Sequence, residues 1–369
     1  MLRQTVVQNI TRQLEATNKK SSTTKEALIM KSPLVSSTPS WFDKAMSRYT
    51  VVPKDKVRRV IIVTYFRAGS SFVGELLSST PNTFYYFEPL KMFSGNARVS
   101  GKAVTNASAL VNHLFRCDFL RAPHYLRWAY KDDDFFRRNR FLWTLCKGQR
   151  PVCFDADVVT QVCSRASVHV MKVTRLHMSH VRDWLRSNPD IAGSVKIVHL
   201  VRDPRGILAS RRRLHWCNES KSCVHQDTLC SELRADLDTF EELRRAFPNS
   251  TYRVRYEDVS LDPKRESLKL FGALGLNYTT SVSGFLDTHT KPRKASALNP
   301  YSTWRNSSAV TFQWRTKLSY KDIVDIQESC VDVLLRLGYR TIIKENELLE
   351  GMPLVPVPNL TVQPVETQR

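Results

Sequence analysis

An α/β fold with a central, mainly parallel sheet flanked by helices is the class this sequence predicts, and three observations predict it. Short apolar runs alternate with amphipathic stretches along most of the 369 residues, and strands separated by helices form parallel sheets covered on both faces. One apolar run, Val60–Tyr65, feeds a turn holding Arg67, Gly69, Ser70 and Ser71 and then an amphipathic segment, the layout of a phosphate-cradling loop. Between about residues 55 and 345 no internal repeat and no break in composition calls for a second domain.

The elements follow in order. Residues 1–54 are rich in Ser, Thr and Lys and poor in aromatics, which predicts a flexible stem. Val60–Tyr65 is an apolar strand, Ser70–Ser79 a helix, and Phe84–Phe87 a short aromatic strand expected beside the first. The stretch from Lys91 to Arg165 interrupts the alternation and carries half the cysteines; it reads as an insertion over one sheet edge that shapes a binding cleft. Val168–Val173, Val195–Val201 and Thr251–Tyr256 are further strands, and Arg205–Arg213 and Leu229–Ala246 are helices. Helices at Asp262–Leu274 and Tyr320–Leu337 are marked by Pro263 in the opening turn of one and Gly338 just past the end of the other. Residues 346–369 are punctuated by proline and predict a flexible tail.

The formal charge is +21, from 56 Lys and Arg against 35 Asp and Glu. Such an excess favours a polyanionic partner, whether nucleic acid, an anionic lipid surface or an acidic polysaccharide. Asn-X-Ser/Thr acceptors begin at Asn9, Asn106, Asn218, Asn249, Asn277, Asn306 and Asn359, and the eight cysteines are an even number. Both features predict an oxidising lumen, N-glycans and disulfides whose pairing the sequence does not give. Zinc is the competing reading of His215, Cys217, Cys223, His225 and Cys230, but their spacing matches no standard finger. No run of about 18 apolar residues is present to span a membrane. The polar N-terminus is no secretory signal, so the luminal reading predicts a chain lacking the anchor of a longer protein.

Two loops at strand ends have the contents expected where ligands bind an open α/β sheet. In Phe66-Arg-Ala-Gly-Ser-Ser-Phe72, Gly69 permits close backbone approach. N–H groups at the helix start and the Ser70 and Ser71 hydroxyls donate to an anion, and Arg67 adds a forked charge. In Arg202-Asp-Pro-Arg-Gly-Ile-Leu-Ala-Ser210, Arg202 at a strand end and Ser210 two helical turns on can grip a second phosphate. The alternative is an Arg–Asp pair that merely caps the helix.

Together the two loops resemble the cofactor-binding signatures of the Golgi carbohydrate sulfotransferases, in particular the galactose, N-acetylglucosamine and N-acetylgalactosamine 6-O-sulfotransferases of chondroitin and keratan type. That family carries a Thr-x-Arg-Ser-Gly-Ser-Ser-type loop and an Arg-Asp-Pro-Arg-x-x-x-x-Ser-Arg segment. Here these read Thr64-Tyr-Phe-Arg-Ala-Gly-Ser-Ser71 and Arg202-Asp-Pro-Arg-Gly-Ile-Leu-Ala-Ser-Arg211. The likeness runs through Phe87-Glu-Pro89, Met171-Lys-Val-Thr-Arg175, Val254-Arg-Tyr-Glu-Asp258, Arg305-Asn-Ser307 and Leu337-Gly-Tyr339, covering about residues 57 to 342. Ala68 departs from the pattern, where Ser or Thr is usual.

The resemblance implies a sulfotransferase fold related to the P-loop fold, with 3′-phosphoadenosine 5′-phosphosulfate (PAPS) as donor and no metal. The segment 67–72 (Arg67, Ala68, Gly69, Ser70, Ser71, Phe72) would hold the phosphosulfate. Arg202, Ser210, Arg305 and Ser307 would hold the 3′-phosphate, the last two being otherwise ordinary surface groups. The acceptor implied is a glycan or glycosaminoglycan, not nucleic acid, and the place the Golgi lumen, reached by a type II anchor this chain lacks. Arg67 would meet charge on the leaving phosphate. Glu88, closing the aromatic strand, would take the proton of the sugar hydroxyl; alternatively it pairs with Arg67 or caps the turn before Pro89. None of the nine histidines occupies a comparable place, and His199 reads as a buried imidazole within a strand. Two other functions fit less of the pattern. One is a glycosaminoglycan-binding glycoprotein without activity. The other is a small-molecule P-loop kinase, which the missing Lys after Gly69 disfavours.

Overall fold

The computed structural model describes residues 38–290 and 311–348. Arg305 and Ser307, and most of the expected stem and tail, lie outside the described residues. The chain divides after Asp43 into two compact units. Of the first, residues 38–43 are described, where the helix Ser40–Met46 begins.

The second unit is organised by a sheet of five parallel strands: β1 (Arg58–Val63), β2 (Thr83–Phe87), β3 (Val168–Val173), β4 (Val195–Val201) and β5 (Thr251–Arg255), in the order β2-β3-β1-β4-β5. The sequence VHVMKV of β3 is buried at every position, and β1 is buried beyond its first residue. Continuous burial of this kind requires layers on both faces. On one face Val60 and Ile62 meet Val73, Leu76 and Leu77 of α1 (Ser70–Ser78), together with apolar residues of α8 (Pro263–Leu274) and α9 (Thr280–His289). On the other, Val201 joins Ile207 of α5 (Pro204–Arg211), Leu233 of α6 (Gln226–Ala246) and Ile326 of α10 (Tyr320–Leu337). The caps match the local chemistry: Pro263 opens α8, Ser319 and Asp322 form a capping box on α10, and Gly338 ends α10 at φ 70°.

One placement differs from expectation. The aromatic strand β2 does not lie beside β1; β3 stands between them. The all-buried β3 suits an interior position, whereas β2 takes the edge and is covered there by residues 91–165. That segment forms helices and no strand, among them α2 (Ala103–Phe115) and α3 (Ala156–Ser164). Tyr86 Oη of β2 donates to the Leu114 carbonyl at 2.7 Å, so the covering segment satisfies polar groups as well as apolar area. All eight cysteines pair, as Cys117–Cys163, Cys146–Cys153, Cys217–Cys223 and Cys230–Cys330. The thiols of the candidate zinc cluster are therefore spent in disulfides. No helix of the described residues is long and apolar enough to cross a membrane.

Candidate active site

The turn between β1 and α1 is built on backbone that few residues tolerate. Arg67 has φ 70° and Gly69 φ 85°, the latter as the N-cap of α1. A Cβ on Gly69 would lie 2.2 Å from the Tyr256 ring, so glycine is required both for conformation and for room. Tyr256 opens α7 (Tyr256–Leu261) and stacks under Arg202, whose guanidinium lies 4.5 Å from the ring centre. The first N–H groups of a helix have no intrahelical acceptor. Here they face a cleft of about 770 Å³ that Gly69, Ser70, Ser71 and Phe72 help to line.

The second loop is joined to the first directly. Arg202 Nη1 donates to the Arg67 carbonyl at 2.9 Å, and Arg67 Nε donates to Ser210 Oγ at 3.0 Å. Among the described residues Arg202 Nε is buried without a hydrogen-bond partner, although its side chain lines the cleft. An orphaned guanidinium N–H beside two converging loops fits an anion that is yet to bind. Asp203 and Arg205 do something else. Asp203 caps α5 through the Arg205 N–H and pairs with the Arg205 guanidinium, which is fully buried over Trp314. Half of Arg-Asp-Pro-Arg is thus scaffold, and Trp314 belongs to the core. Beneath it, Glu257 accepts from the Asp203 N–H at 3.1 Å and from Tyr339 Oη at 2.8 Å. Burial and the nearby Asp203 push its carboxyl up to about 7.

Ala68 faces the other way. It is fully buried in the cluster holding Tyr65, Ile207 and Leu233, so a hydroxyl at 68 would point into core and not at a ligand.

Glu88 lies at the end of β2 in a left-handed conformation, φ 50°, and is 6% exposed at the cleft wall. Its partner is neither Arg67 nor a helix start. Lys172 Nζ lies 2.9 Å from Oε1, while Thr174 Oγ1 (2.6 Å) and Arg175 donate to Oε2. Burial alone would raise this carboxyl, but Lys172, Arg175 and the Thr174 hydroxyl outweigh burial and hold it below the ordinary value. Burial in turn pulls Lys172 down against the pull of Glu88. Arg175 is itself fixed by the carbonyls of Ser94 (2.7 Å) and Gly95 (2.6 Å). The intervening β3 accounts for this arrangement, because Phe87 and Ile62 both register with Lys172.

The structure therefore brings Arg67, Gly69, Ser70, Ser71, Phe72, Glu88 and Arg202 to one cleft, with Ser210 behind Arg67. Sequence reasoning gave Tyr256 no part in it, and named no cleft residue within 91–165, where Lys91, Asp134, Phe135 and Arg138 complete the wall. Lys172 and Arg175, which by sequence come at the end of a buried strand where they could face the cleft and help hold cofactor or an acidic acceptor, do line it.

A model described as "Sulfotransferase family" matches residues 59–280, a stretch that includes both loops, Glu88, Lys172 and Tyr256. This chain belongs to the Sulfotransferase family. Among curated relatives, this sulfotransferase-family chain is 28% identical to human carbohydrate sulfotransferase 1 over 338 residues, covering 78% of this chain and 81% of that one. It is 29% identical to mouse carbohydrate sulfotransferase 5 over 332 residues, covering 78% and 82%. Among solved structures it resembles the sulfotransferase domain from the Synechococcus PCC 7002 olefin synthase, with TM-score 0.42 and 16% identity over 75% of this chain and 94% of that one.

Proposed function

We propose that this protein is a PAPS-dependent carbohydrate sulfotransferase that places sulfate on the 6-hydroxyl of galactose, N-acetylglucosamine or N-acetylgalactosamine in a glycan or glycosaminoglycan. The observation that carries this reading is the pair of anion-binding loops locked together through Arg67, Ser210 and Arg202, opening on the cleft that holds Glu88. The curated relatives, named carbohydrate sulfotransferases, support a sugar acceptor. The choice of the 6-hydroxyl rests on the likeness of the two loops to the 6-O-sulfotransferases.

PAPS supplies the activated sulfuryl group. The Gly69-Ser70-Ser71 turn and Arg67 hold its phosphosulfate end, and Arg202 holds the 3′-phosphate from the second loop. Arg305 and Ser307 would add to that grip from outside the described residues. Glu88 accepts the proton of the sugar hydroxyl. A carboxylate held below its ordinary value is ionised at neutral pH but weakly basic. It suits a transfer in which the hydroxyl proton leaves late.

The same reading places the protein in the Golgi lumen with N-glycans. It is supported by the four disulfides and by the exposed positions of Asn106, Asn218, Asn249 and Asn277. The test is purified protein with labelled PAPS and a panel of desulfated chondroitin, keratan and simple N-acetyllactosamine acceptors. Label recovered at sugar C6 is the expected result. Stabilisation by the product nucleotide 3′-phosphoadenosine 5′-phosphate (PAP) without transfer would instead support a non-catalytic binding protein, and ATP turnover without PAP binding a kinase.

A further inference from the structure

The strands that carry the cleft's lining divide it in two. The turn 66–72 follows β1, Arg202 follows β4 and Tyr256 follows β5, so a donor held by these groups fills the half above β1, β4 and β5. Glu88 follows β2, and the covering segment adds Lys91, Gly95 and Asn96 beyond it, so the acceptor has the half above β3 and β2. Trp216 lines the cleft as well, from the stretch after α5 that no step has yet used. Two contacts place it on the acceptor side. Asn96 Nδ2 donates to the Trp216 carbonyl at 2.8 Å, and the indole meets the Phe66 ring edge-on with 5.9 Å between centres. Both neighbours lead to Glu88. Its partner Arg175 lies 4.9 Å from the Phe66 ring centre and donates to the Gly95 carbonyl beside Asn96.

The stretch that carries Trp216 is held from several sides. Cys217–Cys223 closes a loop of 6 directly after it. Arg211, 3% exposed, donates from Nη1 to the Cys223 carbonyl at 2.9 Å and from Nε to the Phe66 carbonyl at 3.1 Å, tying that loop to the donor turn. Leu214 and the two half-cystines form an apolar cluster of their own, with Trp216 packed on it. A link across so short a loop constrains the unfolded chain less than one across 100 residues, so its main effect is local: it sets where Trp216 stands.

We propose that Trp216 is the platform on which the acceptor sugar stacks, held by the Cys217–Cys223 loop and by Asn96 so that the sugar's reacting hydroxyl meets Glu88; this rests on the sulfotransferase reading. A pyranose carries C–H groups on a face and hydroxyls around its rim. An indole covers such a face with a large rigid area, and ligand clefts use apolar walls of this kind beside a few polar groups. Stacking also orients the ring, which matters because a reacting group about 1 Å out of place loses much of its rate. The adenine of the donor is the other flat ligand such a ring could take. Arg202 and Tyr256, at the ends of β4 and β5, draw the nucleotide to the opposite half. Asn96 touches the backbone of Trp216 and acts as a positioning residue for it.

The test reads binding directly, by calorimetry, for PAP alone and then for the best acceptor of the glycan panel with PAP bound. In Trp216→Ala, acceptor affinity should fall by about tenfold or more, while PAP affinity stays within about twofold of wild type. Trp216→Phe keeps a flat ring and should recover most of the acceptor affinity. Trp216→Leu keeps apolar bulk without a flat face; it should lose affinity as Ala does, and it replaces the Ala variant should that fail to fold. Asn96→Ala should cost about threefold in acceptor affinity, and nothing further once Trp216 is Ala, because no ring is left to position. In turnover assays, acceptor KM should rise by more than kcat falls in Trp216→Ala. Acceptor affinity within about twofold of wild type in both the Ala and Leu variants overturns the proposal. So does a loss of PAP affinity as large as the loss for the acceptor, which would give the ring to adenine. A wild-type protein that neither binds PAP nor transfers label overturns the sulfotransferase reading itself.

Discussion

Gly69 shows how much of the site depends on one missing side chain. Its φ of 85° and the Tyr256 ring 2.2 Å from where a Cβ would sit mean that Gly69→Ala must either twist the loop or displace the tyrosine that supports Arg202. The left-handed backbone alone costs about 1–3 kcal/mol for a non-glycine residue. Urea unfolding should register a loss of that order, and calorimetry a drop in PAP affinity of more than tenfold; unchanged affinity would mean that the turn does not hold the donor. Glu257 is the second telling residue. Its folded carboxyl keeps its proton up to about pH 7, whereas the unfolded chain loses it near the ordinary 4.5. The folded state thus binds more protons across that window, and this group's contribution to stability falls as pH rises from about 4.5 to about 7. Glu257→Gln removes the titration. Relative to wild type it should gain about 3 kcal/mol between pH 4.5 and pH 8, read from urea midpoints at both pH values. A difference between the two proteins that is flat with pH would dispose of the raised carboxyl. Ala68, which in sequence looked like a lost ligand contact, is a core residue. A motif comparison lines positions up but does not tell which way a side chain points.

At the scale of elements, the alternation of apolar runs and helices was legible because burial on both faces keeps β1, β3 and β4 mostly apolar. Strand order was not. Consecutive strands are neighbours often enough to suggest β2 beside β1, yet the sheet admits β3 between them and so brings Lys172 and Arg175 to Glu88. The two anion loops could be found because glycine, arginine and serine sit at fixed offsets from a strand end. The cleft wall from residues 91–165 could not, since Phe135 and Arg138 gain their place only from how short helices pack on β2. Disulfide pairing was equally hidden, because it depends on distances between distant residues. Cys230–Cys330 ties α6 to α10 across 100 residues, while Cys146–Cys153 closes a loop of 7. Chain-entropy arguments assign roughly 5 kcal/mol to a link of the first kind and roughly 2 kcal/mol to the second. Replacing Cys230 and Cys330 by Ala should therefore lower the urea midpoint further than replacing Cys146 and Cys153. The opposite order would show that the native packing of α6 on α10, and not the unfolded chain, governs the cost.

For the whole molecule, the charge excess asks for a role that the cleft does not absorb. Within the cleft the basic groups contributed by the covering segment, by β3 and by the turn after it are answered locally: Lys91 by Asp132, Arg138 by Glu75, and Lys172 and Arg175 by Glu88. A formal charge of +21 is far larger than those sites need. Such a field acts over distance, raising the encounter rate of a polyanion, and it is screened over about 8 Å at physiological salt. Paired cleft residues are screened far less. On the proposed function this separates two steps that salt should affect differently. With PAPS saturating, kcat/KM for a carboxylated chain such as desulfated chondroitin should fall about tenfold between 50 and 300 mM salt, in keeping with steered association. For a short neutral oligosaccharide it should change by less than about twofold, and kcat should hold steady for both, because the chemistry lies among groups already paired. An equal fall for the neutral acceptor would assign the charge to something other than capture of an acidic polymer. A fall in kcat would place the salt-sensitive groups within the transfer step.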